Sequence, residues 1–329
     1  MPNDIRWGIL STANIARVRV VPAIVKSKNG IVHAVASRSQ EKALAFAEEL
    51  DIPVAYGSYE DLLADPDIDA IYIGLPNSMH AEWAIKCAEA GKATLCEKPL
   101  ASNAPEAQTM VDAFSERDLL FAEAFMWRFH PQSERVRQMI QDGAIGEPHA
   151  MRSTFSFPLR NDDNIRLQGD LAGGALMDVG CYCVNSMRFM TGEEPEQVAA
   201  LAHVWLERDV DEWLSAVLQF PRGLIGHFDC SLRTFREHSY EIRGSEGRIL
   251  VPEAFVSPIG GETTIRHWRS DAVTEITIPG ADHYQLMAED FADALIDSRP
   301  PRFLAQDAVQ NMQVIDRLYE AAGMKPRGR

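Results

Sequence analysis

The chain has 329 residues, enough for about two domains with separate cores. It carries 32 lysines and arginines against 48 aspartates and glutamates, and this formal net charge of −16 disfavours nucleic acid and anionic membranes as partners. No apolar run reaches the roughly 18 residues of a spanning helix, and the first residues lack the layout of a signal peptide. The five cysteines form no C-x-x-C pair and indicate reduced thiols in a cytoplasmic protein.

The first part of the chain alternates predicted strands with predicted helices. Ser39 and Asn103 stand where N-cap residues are expected, and Gly91 is expected to end a helix. The elements are predicted in this order: strand 5–11, helix 14–27, strand 31–37, helix 39–50, strand 54–57, helix 58–65, strand 70–76, helix 78–91, strand 92–99, a helix within 102–118, and strand 120–127. Since strands separated by helices form βαβ units, residues 1–127 are predicted to be a Rossmann-type, doubly wound parallel sheet.

The pattern changes after residue 127. Helices are predicted at 173–190, 283–297 and 305–322, and short strands at 149–157, 197–206, 213–220, 224–232, 239–251, 263–269 and 272–278. This favours an α+β domain over residues 128–329, with a large, mostly antiparallel open sheet covered by helices on one face. The other face is expected to pair with a second subunit in a homodimer or homotetramer. The closing helix, 305–322, is a candidate to pack back on the first domain.

The stretch WGILSTANIA, residues 7–16, lies where a dinucleotide-binding protein has its glycine-rich phosphate loop. The glycine positions of G-x-G-x-x-G are Ser11, Ala13 and Ala16 here, and serine does not adopt a positive φ cheaply. The backbone amides and the helix N-terminus remain as an anion site, with the Ser11 hydroxyl as the expected side-chain donor. Taken alone, the loop leaves cofactor binding open. The residues expected along the pyrophosphate are Ser11, Thr12, Ala13, Asn14 and Ile15.

The end of the second predicted strand favours NADP over NAD. An NAD site usually places an acidic side chain here to bind the ribose 2′-hydroxyl, but "ASRSQEK" has Ser37 and Arg38 and no acid before Glu41. A guanidinium can bind a 2′-phosphate and stack on adenine. The alternative is a solvated arginine in an ordinary βα loop.

The segment CEKPLA, residues 96–101, and the segment GLPNSMH before it resemble the glucose–fructose oxidoreductase/inositol dehydrogenase/MocA (Gfo/Idh/MocA) family. The resemblance continues through EAFMWRFHPQ (123–132), GGALMDVGCYCV (173–184) and GSEGRI (244–249), and covers nearly the whole chain. It is greatest to the NADP-dependent aldose 1-dehydrogenases and the dimeric dihydrodiol dehydrogenases. In this family the bond between Lys98 and Pro99 is commonly cis. Together with the other motifs, the position of Lys98 favours a catalytic lysine over the alternative, a surface lysine in a loop.

Lys98, Asp178 and Tyr182 are the expected catalytic residues. Lys98 lies at the carboxyl end of a parallel strand, where open α/β sheets bind ligands, and the following proline restricts its backbone. Asp178 and Tyr182 are four residues apart in one predicted helix and share a face. Oxidation of a carbinol needs a base, and a nearby ammonium lowers the pKa of a tyrosine from its usual value of about 10. By resemblance, Tyr182 occupies a position where many members have histidine. The alternatives are a core aromatic at Tyr182 and a structural cap at Asp178.

Other residues are expected at the site on weaker grounds. Trp127 either covers the nicotinamide or packs in a core, and His80 either passes the nicotinamide ribose or begins its helix. Asn164 and Arg166 lie in a polar loop that either reaches a polyhydroxylated substrate or is solvated. Cys181 and Cys183 are expected to pack, and no spacing of ligands indicates a metal. The further expected cofactor contacts are Leu75, Pro76, Asn77, His80, Glu97, Lys98, Trp127 and Arg128.

These patterns predict an NADP-dependent oxidoreductase that transfers hydride to or from a carbinol or carbonyl of a sugar or polyol. The favoured reaction is oxidation at the anomeric carbon of an aldose such as D-xylose. A trans-dihydrodiol dehydrogenase or a keto-sugar reductase is the alternative among enzymes. A non-catalytic NADP(H)-binding redox sensor is the alternative from another class.

Overall fold

The computed structural model describes residues 4–328, which divide into two compact units. The first unit contains the residues up to Met126 together with Asp282–Val309, and the second contains Trp127–Ala281 and the residues from Gln310 onward. The sequence pattern favoured 282–309 as part of the second domain. The structure places it in the first because Phe291 packs 5.2 Å from the ring of Trp7, and Asn29 donates to Asp293 at 2.7 Å.

The first unit contains a parallel sheet of six strands in the order β3-β2-β1-β4-β5-β6. This strand order is that of a dinucleotide-binding doubly wound fold, and it confirms the predicted Rossmann sheet. The strands are β1 Ile5–Leu10, β2 Gly30–Ala36, β3 Val54–Tyr56, β4 Ala70–Ile73, β5 Ala93–Glu97 and β6 Phe121–Ala124. The helices are α1 Val21–Lys26, α2 Gln40–Glu49, α3 Tyr59–Ala64, α4 His80–Glu89, α5 Ala104–Ser115 and α8 His283–Ile296.

Local capping explains where two of these helices begin. The Ser39 side chain accepts a hydrogen bond from the amide of Lys42, and the Asn103 side chain accepts one from the amide of Glu106. Both residues have extended backbone geometry, as N-cap residues do. The predicted N-caps are therefore confirmed.

The second unit contains a sheet of eight strands in the order β14-β13-β12-β11-β7-β10-β9-β8. All neighbouring pairs are antiparallel except β7 with β10, so the sheet is mostly antiparallel as predicted. The strands are β7 Pro148–Ser156, β8 Gln197–Trp205, β9 Val210–Gln219, β10 Ile225–Ser231, β11 Glu237–Gly244, β12 Gly247–Val251, β13 Thr263–Arg269 and β14 Ala272–Ile278. The remaining helices are α6 Pro131–Gln141, α7 Cys181–Thr191 and α9 Ala305–Ala321.

Helix α6 is absent from the elements predicted by the sequence pattern. His130 caps this helix by accepting a hydrogen bond from the amide of Gln132, and Pro131 occupies its first turn. Proline is favoured in the first turn because an N–H at that position has no acceptor within the helix, so that its absence costs no hydrogen bond. The "FHPQ" motif therefore contains a helix start as well as residues expected near the site.

The outer face of the second sheet exposes apolar side chains. Along β9, Leu214, Ala216 and Leu218 are buried, whereas the alternate residues Trp213 and Val217 are 40% and 47% exposed. Helix α7 packs against β7 and β10. Among residues 4–328, no helix combines the length and apolar character that crossing a membrane requires.

Candidate active site

In the loop after β1, a serine adopts a backbone conformation that is typical of glycine. Ser11 adopts φ +127°, a region normally left to glycine. Its hydroxyl donates to the carbonyl of Gly74 at 2.8 Å and accepts from the amide of Ala13 at 3.2 Å. The expectation that Ser11 donates to phosphate is therefore corrected, because its single proton already bonds Gly74. Ser11 instead braces the loop.

The helix that follows this loop begins where the anion site is expected. Thr12 and Ile15 are half-buried and Asn14 is exposed at its start, and the first amides of a helix have no acceptor within the helix. The helix is π-helical over Ala16–Val20 before it continues as α1. Such turns are frequent at functional sites. Contact of Thr12, Asn14 and Ile15 with a pyrophosphate stays a prediction.

Arg38 lies at the end of β2 as an exposed cation. Burial raises the pKa of the nearby Tyr59, and the positive charge of Arg38 partly opposes this rise. Ser37 is only 7% exposed, and its hydroxyl accepts from the amide of Ser39. Of the two predicted side chains, Arg38 is the one that solvent or a phosphate can reach.

Glu97 supports the turn that carries Lys98. The Lys98–Pro99 peptide is cis, as the family resemblance implied. The Glu97 carboxylate accepts from the hydroxyl of Tyr72 at 2.7 Å and from the amide of Lys98 at 3.3 Å. Tyr72 is fully buried, and burial together with Glu97 raises its pKa well above the usual value. The sequence pattern did not indicate Tyr72, since its partner lies 25 residues away.

His80 joins the turns that follow β4 and β5. It is fully buried, with Nδ1 3.0 Å from the carbonyl oxygen of Pro99 and Nε2 2.9 Å from that of Leu75. Its expected contact with the nicotinamide ribose is corrected, because both ring nitrogens face the backbone of these turns. His80 also begins α4, which was the alternative. Leu75 is buried too, whereas Pro76 and Asn77 are half-buried.

Trp127 is a core residue of the second unit. Its indole N–H donates to Asn185 Oδ1 at 3.1 Å, and its ring makes edge-on contacts with Phe189 and Phe255. Since it is 1% exposed, the packing alternative replaces the expected nicotinamide contact. Arg128 is also buried, at 2% exposure.

Asp178 and Arg166 form an ion pair inside the second unit. Arg166 Nε donates to Asp178 Oδ2 at 2.8 Å, and the two side chains are 42% and 15% exposed. The Asn164 side chain accepts from the amide of Arg166 at 3.1 Å and shapes this loop. Asn164 and Arg166, predicted as substrate contacts, thus also connect the loop to Asp178. The sequence pattern did not indicate this pair.

Tyr182 follows Asp178 across a change of helix type. Leu176–Gly180 is π-helical and leads directly into α7. The ring of Tyr182 packs 5.1 Å from Phe155 and 5.4 Å from Phe255, which restricts its orientation. Cys183 is buried beside it, and burial raises its pKa to about 12, so that it remains a thiol.

One group of side chains in residues 4–328 has the spacing of metal ligands: His33, Asp65 and Asp67. Their atoms already have protein partners. Asp67 pairs with Arg6 at 2.6 Å, and Asp65 accepts from the Tyr56 hydroxyl at 2.9 Å and lies 3.3 Å from His33. These contacts explain the group as an ion-pair cluster of the first unit, and we assign no metal to it.

Family models match both parts of the chain. One described as an oxidoreductase family with an NAD-binding Rossmann fold matches residues 5–125, and one for the GFO/IDH/MocA C-terminal domain matches residues 133–250. The NADP-dependent D-xylose 1-dehydrogenase 2 of Haloferax volcanii is 38% identical over 96% of this chain and 97% of its own length. The trans-1,2-dihydrobenzene-1,2-diol dehydrogenase of Bos taurus is 35% identical over 77% of this chain and 76% of its own.

A solved structure shares the fold over almost the whole chain. It is a 3-ketoreductase from Actinomadura kijaniata in complex with NADP and TDP-benzene. The TM-score is 0.93 at 31% identity, and the match covers 97% of this chain and 98% of that one. The similarity therefore extends through both units, and it confirms the resemblance on which the sequence analysis relied.

Proposed function

Because this chain belongs to the Gfo/Idh/MocA family of NAD(P)-dependent oxidoreductases, we propose that it is NADP-dependent and oxidises a carbinol, or reduces the carbonyl, of a sugar or polyol. The nicotinamide, when bound, accepts or returns the hydride. The observation that carries the proposal is the helix segment with Asp178 and Tyr182, because a redox sensor needs only a cofactor-binding unit. Asp178 forms an ion pair with Arg166, in the loop that is expected to reach the substrate. This ion pair would hold the loop and the helix segment in a fixed arrangement around the substrate.

In this proposal Lys98 stabilises the phenolate form of Tyr182, and this phenolate takes the hydroxyl proton of the carbinol and becomes the neutral phenol as hydride leaves for the nicotinamide. Lys98 also donates a hydrogen bond to the reacting oxygen. Solved structures of the Actinomadura 3-ketoreductase include variants of one lysine and of one tyrosine, each with NADP and TDP-benzene. Those two residues are separated by the same number of positions as Lys98 and Tyr182. This matching spacing supports the assignment of both residues.

The Asp178–Arg166 pair orients the substrate. A carboxylate held by a guanidinium stays ionised and accepts hydrogen bonds from sugar hydroxyls. Asn164, which shapes the same loop, is placed to add an amide contact. Both residues of the pair keep part of their surface exposed, at 15% and 42%.

The cofactor is proposed to be NADP. The exposed guanidinium of Arg38 lies at the end of β2, where no acidic residue is present to bind a ribose 2′-hydroxyl. The amides of Thr12, Asn14 and Ile15 receive the pyrophosphate. The xylose dehydrogenase relative is named for NADP(+), and the Actinomadura structure holds NADP.

The favoured substrate is an aldose such as D-xylose, oxidised at the anomeric carbon. The Haloferax relative supports it, while a trans-dihydrodiol and a keto-sugar are the alternatives that the Bos taurus and Actinomadura proteins support. The test is a panel of aldoses, diols and keto-sugars with NADP+, NAD+ and the reduced cofactors, followed by absorbance of the reduced nicotinamide. Turnover of an aldose supports the proposal. Tight NADP(H) binding with no turnover would instead favour a redox sensor.

The open face of the second sheet is proposed to bind a second copy of the chain. Leu201 is 82% exposed on this face, and Val217 and Ile225 are 47% and 50% exposed. Replacement of Leu201 and Val217 by aspartate should yield a monomer in light scattering, if the wild type is a dimer or tetramer. Cytoplasmic localisation stays a prediction.

A further inference from the structure

A buried carboxylate of β9 contacts both the C-terminal part of the chain and the start of the segment that carries Asp178. Asp211 is fully buried. Its Oδ2 accepts from the amide of Leu176 at 2.7 Å, and its Oδ1 accepts from the Tyr319 hydroxyl at 2.9 Å and from Arg327 Nη2 at 3.0 Å. Asp211 thus occupies the point at which three separate segments of the second unit meet.

Arg327 lies very near the end of the chain and is nevertheless buried. Its side chain is 3% exposed, and besides Asp211 it donates to the carbonyl of Asp209. Its guanidinium also lies 4.8 Å from the centre of the Tyr319 ring. A buried charge is retained only where partners compensate its lost hydration. Asp211 therefore holds the C-terminal residues in place. In turn, Arg327 and Tyr319 donate hydrogen bonds that replace the lost hydration of the Asp211 carboxylate.

The turn before the π-helical segment is fitted around the same carboxylate. Gly174 has φ +132°, and a Cβ there would lie 2.1 Å from Asp211 Oδ1 and 2.9 Å from the Tyr319 hydroxyl. The carbonyl of Gly174 accepts from the amide of Asp178 at 2.9 Å. A displacement of Asp211 would therefore reach the segment of Asp178 through the amide of Leu176, and Gly174 leaves no room for a side chain beside this carboxylate.

The C-terminal helix also contacts α7 beside Tyr182. Asn311 Nδ2 donates to the carbonyl of Cys181 at 3.4 Å. Further along α7, Arg188 donates to Asn311 at 3.4 Å and to Gln310 at 3.2 Å. C-terminal residues thus contact the segment of Asp178 and Tyr182 directly at Cys181 and Arg188, and through Asp211 at its start.

We propose that the C-terminal residues, through Arg327 and Asp211, set the orientation of Asp178 and Tyr182 and so determine the rate of the chemical step. Arg327 and Asp211 are assigned as positioning residues, since both are buried and act through the hydrogen bond of Asp211 to the amide of Leu176. The inference rests on the proposed function for its kinetic consequence. Its structural part is independent of that function.

The test is Arg327→Ala in the full chain, with Arg317→Ala as the matched control. Arg317 lies on α9, which ends six residues before Arg327, and it donates to the carbonyls of Pro195 and Glu196, with no contact to Asp211 among the described residues. Arg327→Ala should lower kcat by roughly tenfold to a hundredfold, because small displacements of catalytic groups are costly. The KM for NADP+ should stay within about twofold, since the predicted pyrophosphate and 2′-phosphate contacts belong to the first unit. Added guanidinium at millimolar concentration should restore part of kcat. Arg317→Ala should keep the wild-type kcat.

A wild-type kcat in Arg327→Ala, or an equal loss in the control, overturns the proposal. If the alanine variant does not fold, Arg327→Lys and Asp211→Asn are measured in the same way, and a wild-type kcat in both overturns it equally. If the wild type turns over none of the substrates, the proposed function fails. The structural part of the inference is then tested by amide hydrogen exchange. The amides of Leu176 and Asp178 should then exchange at least tenfold faster in Arg327→Ala or Arg327→Lys than in wild type. Unchanged exchange at both overturns it.

Discussion

The guanidinium of Arg166 donates a 2.8 Å hydrogen bond to the carboxylate of Asp178, twelve residues later in the chain. Asp178 belongs to a π-helical turn, and Arg166 to a loop shaped by Asn164. The loop expected to reach the substrate and the helix expected to carry the base are therefore coupled directly. A substrate that orders this loop would also fix Asp178.

Removal of Arg166 should weaken substrate binding more than cofactor binding. The Arg166 side chain is 42% exposed, so its ion pair contributes only about 1 kcal/mol, or about fivefold in kcat/KM. We expect Arg166→Ala to act through the KM for the sugar and to leave the KM for NADP+ unchanged. Both KM values are measured from initial rates, with the sugar and NADP+ varied in turn. A rise in the KM for NADP+ alone would contradict the role of Arg166 in substrate binding.

Tyr182→Phe should abolish turnover while cofactor binding survives. General-base catalysis contributes about 10²- to 10⁴-fold, and the phenylalanine ring keeps the packing against Phe155 and Phe255. NADPH binding, followed by fluorescence, should match wild type. The control is Tyr240→Phe, because Tyr240 packs on the same Phe255 and its buried hydroxyl has no hydrogen-bond partner among residues 4–328. Similar activity losses in both variants would remove Tyr182 from its proposed role.

Arg38→Ala should discriminate between the two cofactors. Loss of a charge-assisted hydrogen bond to a 2′-phosphate costs about 1.5–3 kcal/mol, which is tenfold or more in the KM for NADP+. The KM for NAD+ should change little. Lys86→Ala removes another cation of the first unit, paired with Glu82 at 2.7 Å, and should change neither constant. An equal effect of Arg38→Ala on both cofactors would exclude the 2′-phosphate contact.

Ser11 offers a matched pair of substitutions. Ser11→Ala keeps the unfavourable φ of +127° and loses the bonds to Gly74 and Ala13, at a cost of about 2 kcal/mol. Ser11→Gly loses the same bonds but relieves roughly 1–3 kcal/mol of backbone strain, so its stability should lie close to wild type. Urea denaturation measures both. If alanine were the more stable of the two, the strain at Ser11 would not be real.

His130 should make the protein less stable in mild acid. Burial lowers its pKa to about 4, below the value of about 6.5 expected in the unfolded chain. The unfolded state therefore binds a proton first as the pH falls, and this contribution to stability is lost progressively between about pH 6.5 and 4. The loss amounts to about 2 kcal/mol by pH 5.

The check on His130 is urea denaturation of His130→Asn at pH 7.5 and pH 5. Asparagine retains an N-cap acceptor for α6, so the variant should fold and show a smaller difference between the two pH values. His227→Asn, on an exposed position of β10, is the control and should keep the wild-type difference. A full wild-type pH dependence in His130→Asn would show that other groups cause it.

Local patterns in the amino-acid sequence determine much of the fold. Ser39 and Asn103 cap their helices through hydrogen bonds to amides three residues ahead, and such contacts are visible in the sequence. Alternation of apolar strands with helices determines the parallel sheet. The same local logic accounts for α6, because Pro131 is a residue typical of a helix start. The motif around Lys98 identifies the family.

What the sequence by itself determined is most of the elements, the family and the candidate catalytic residues Lys98, Asp178 and Tyr182. The tertiary structure decided what each polar group bonds. Ser11 meets Gly74 across 63 residues, and Arg327 meets Asp211 across 116. These partners depend on how distant segments pack, because a buried polar group must find an acceptor or donor wherever the fold places one. For that reason Ser11 braces its loop, His80 joins two turns, and a C-terminal arginine bonds the carboxylate that accepts from the amide of Leu176.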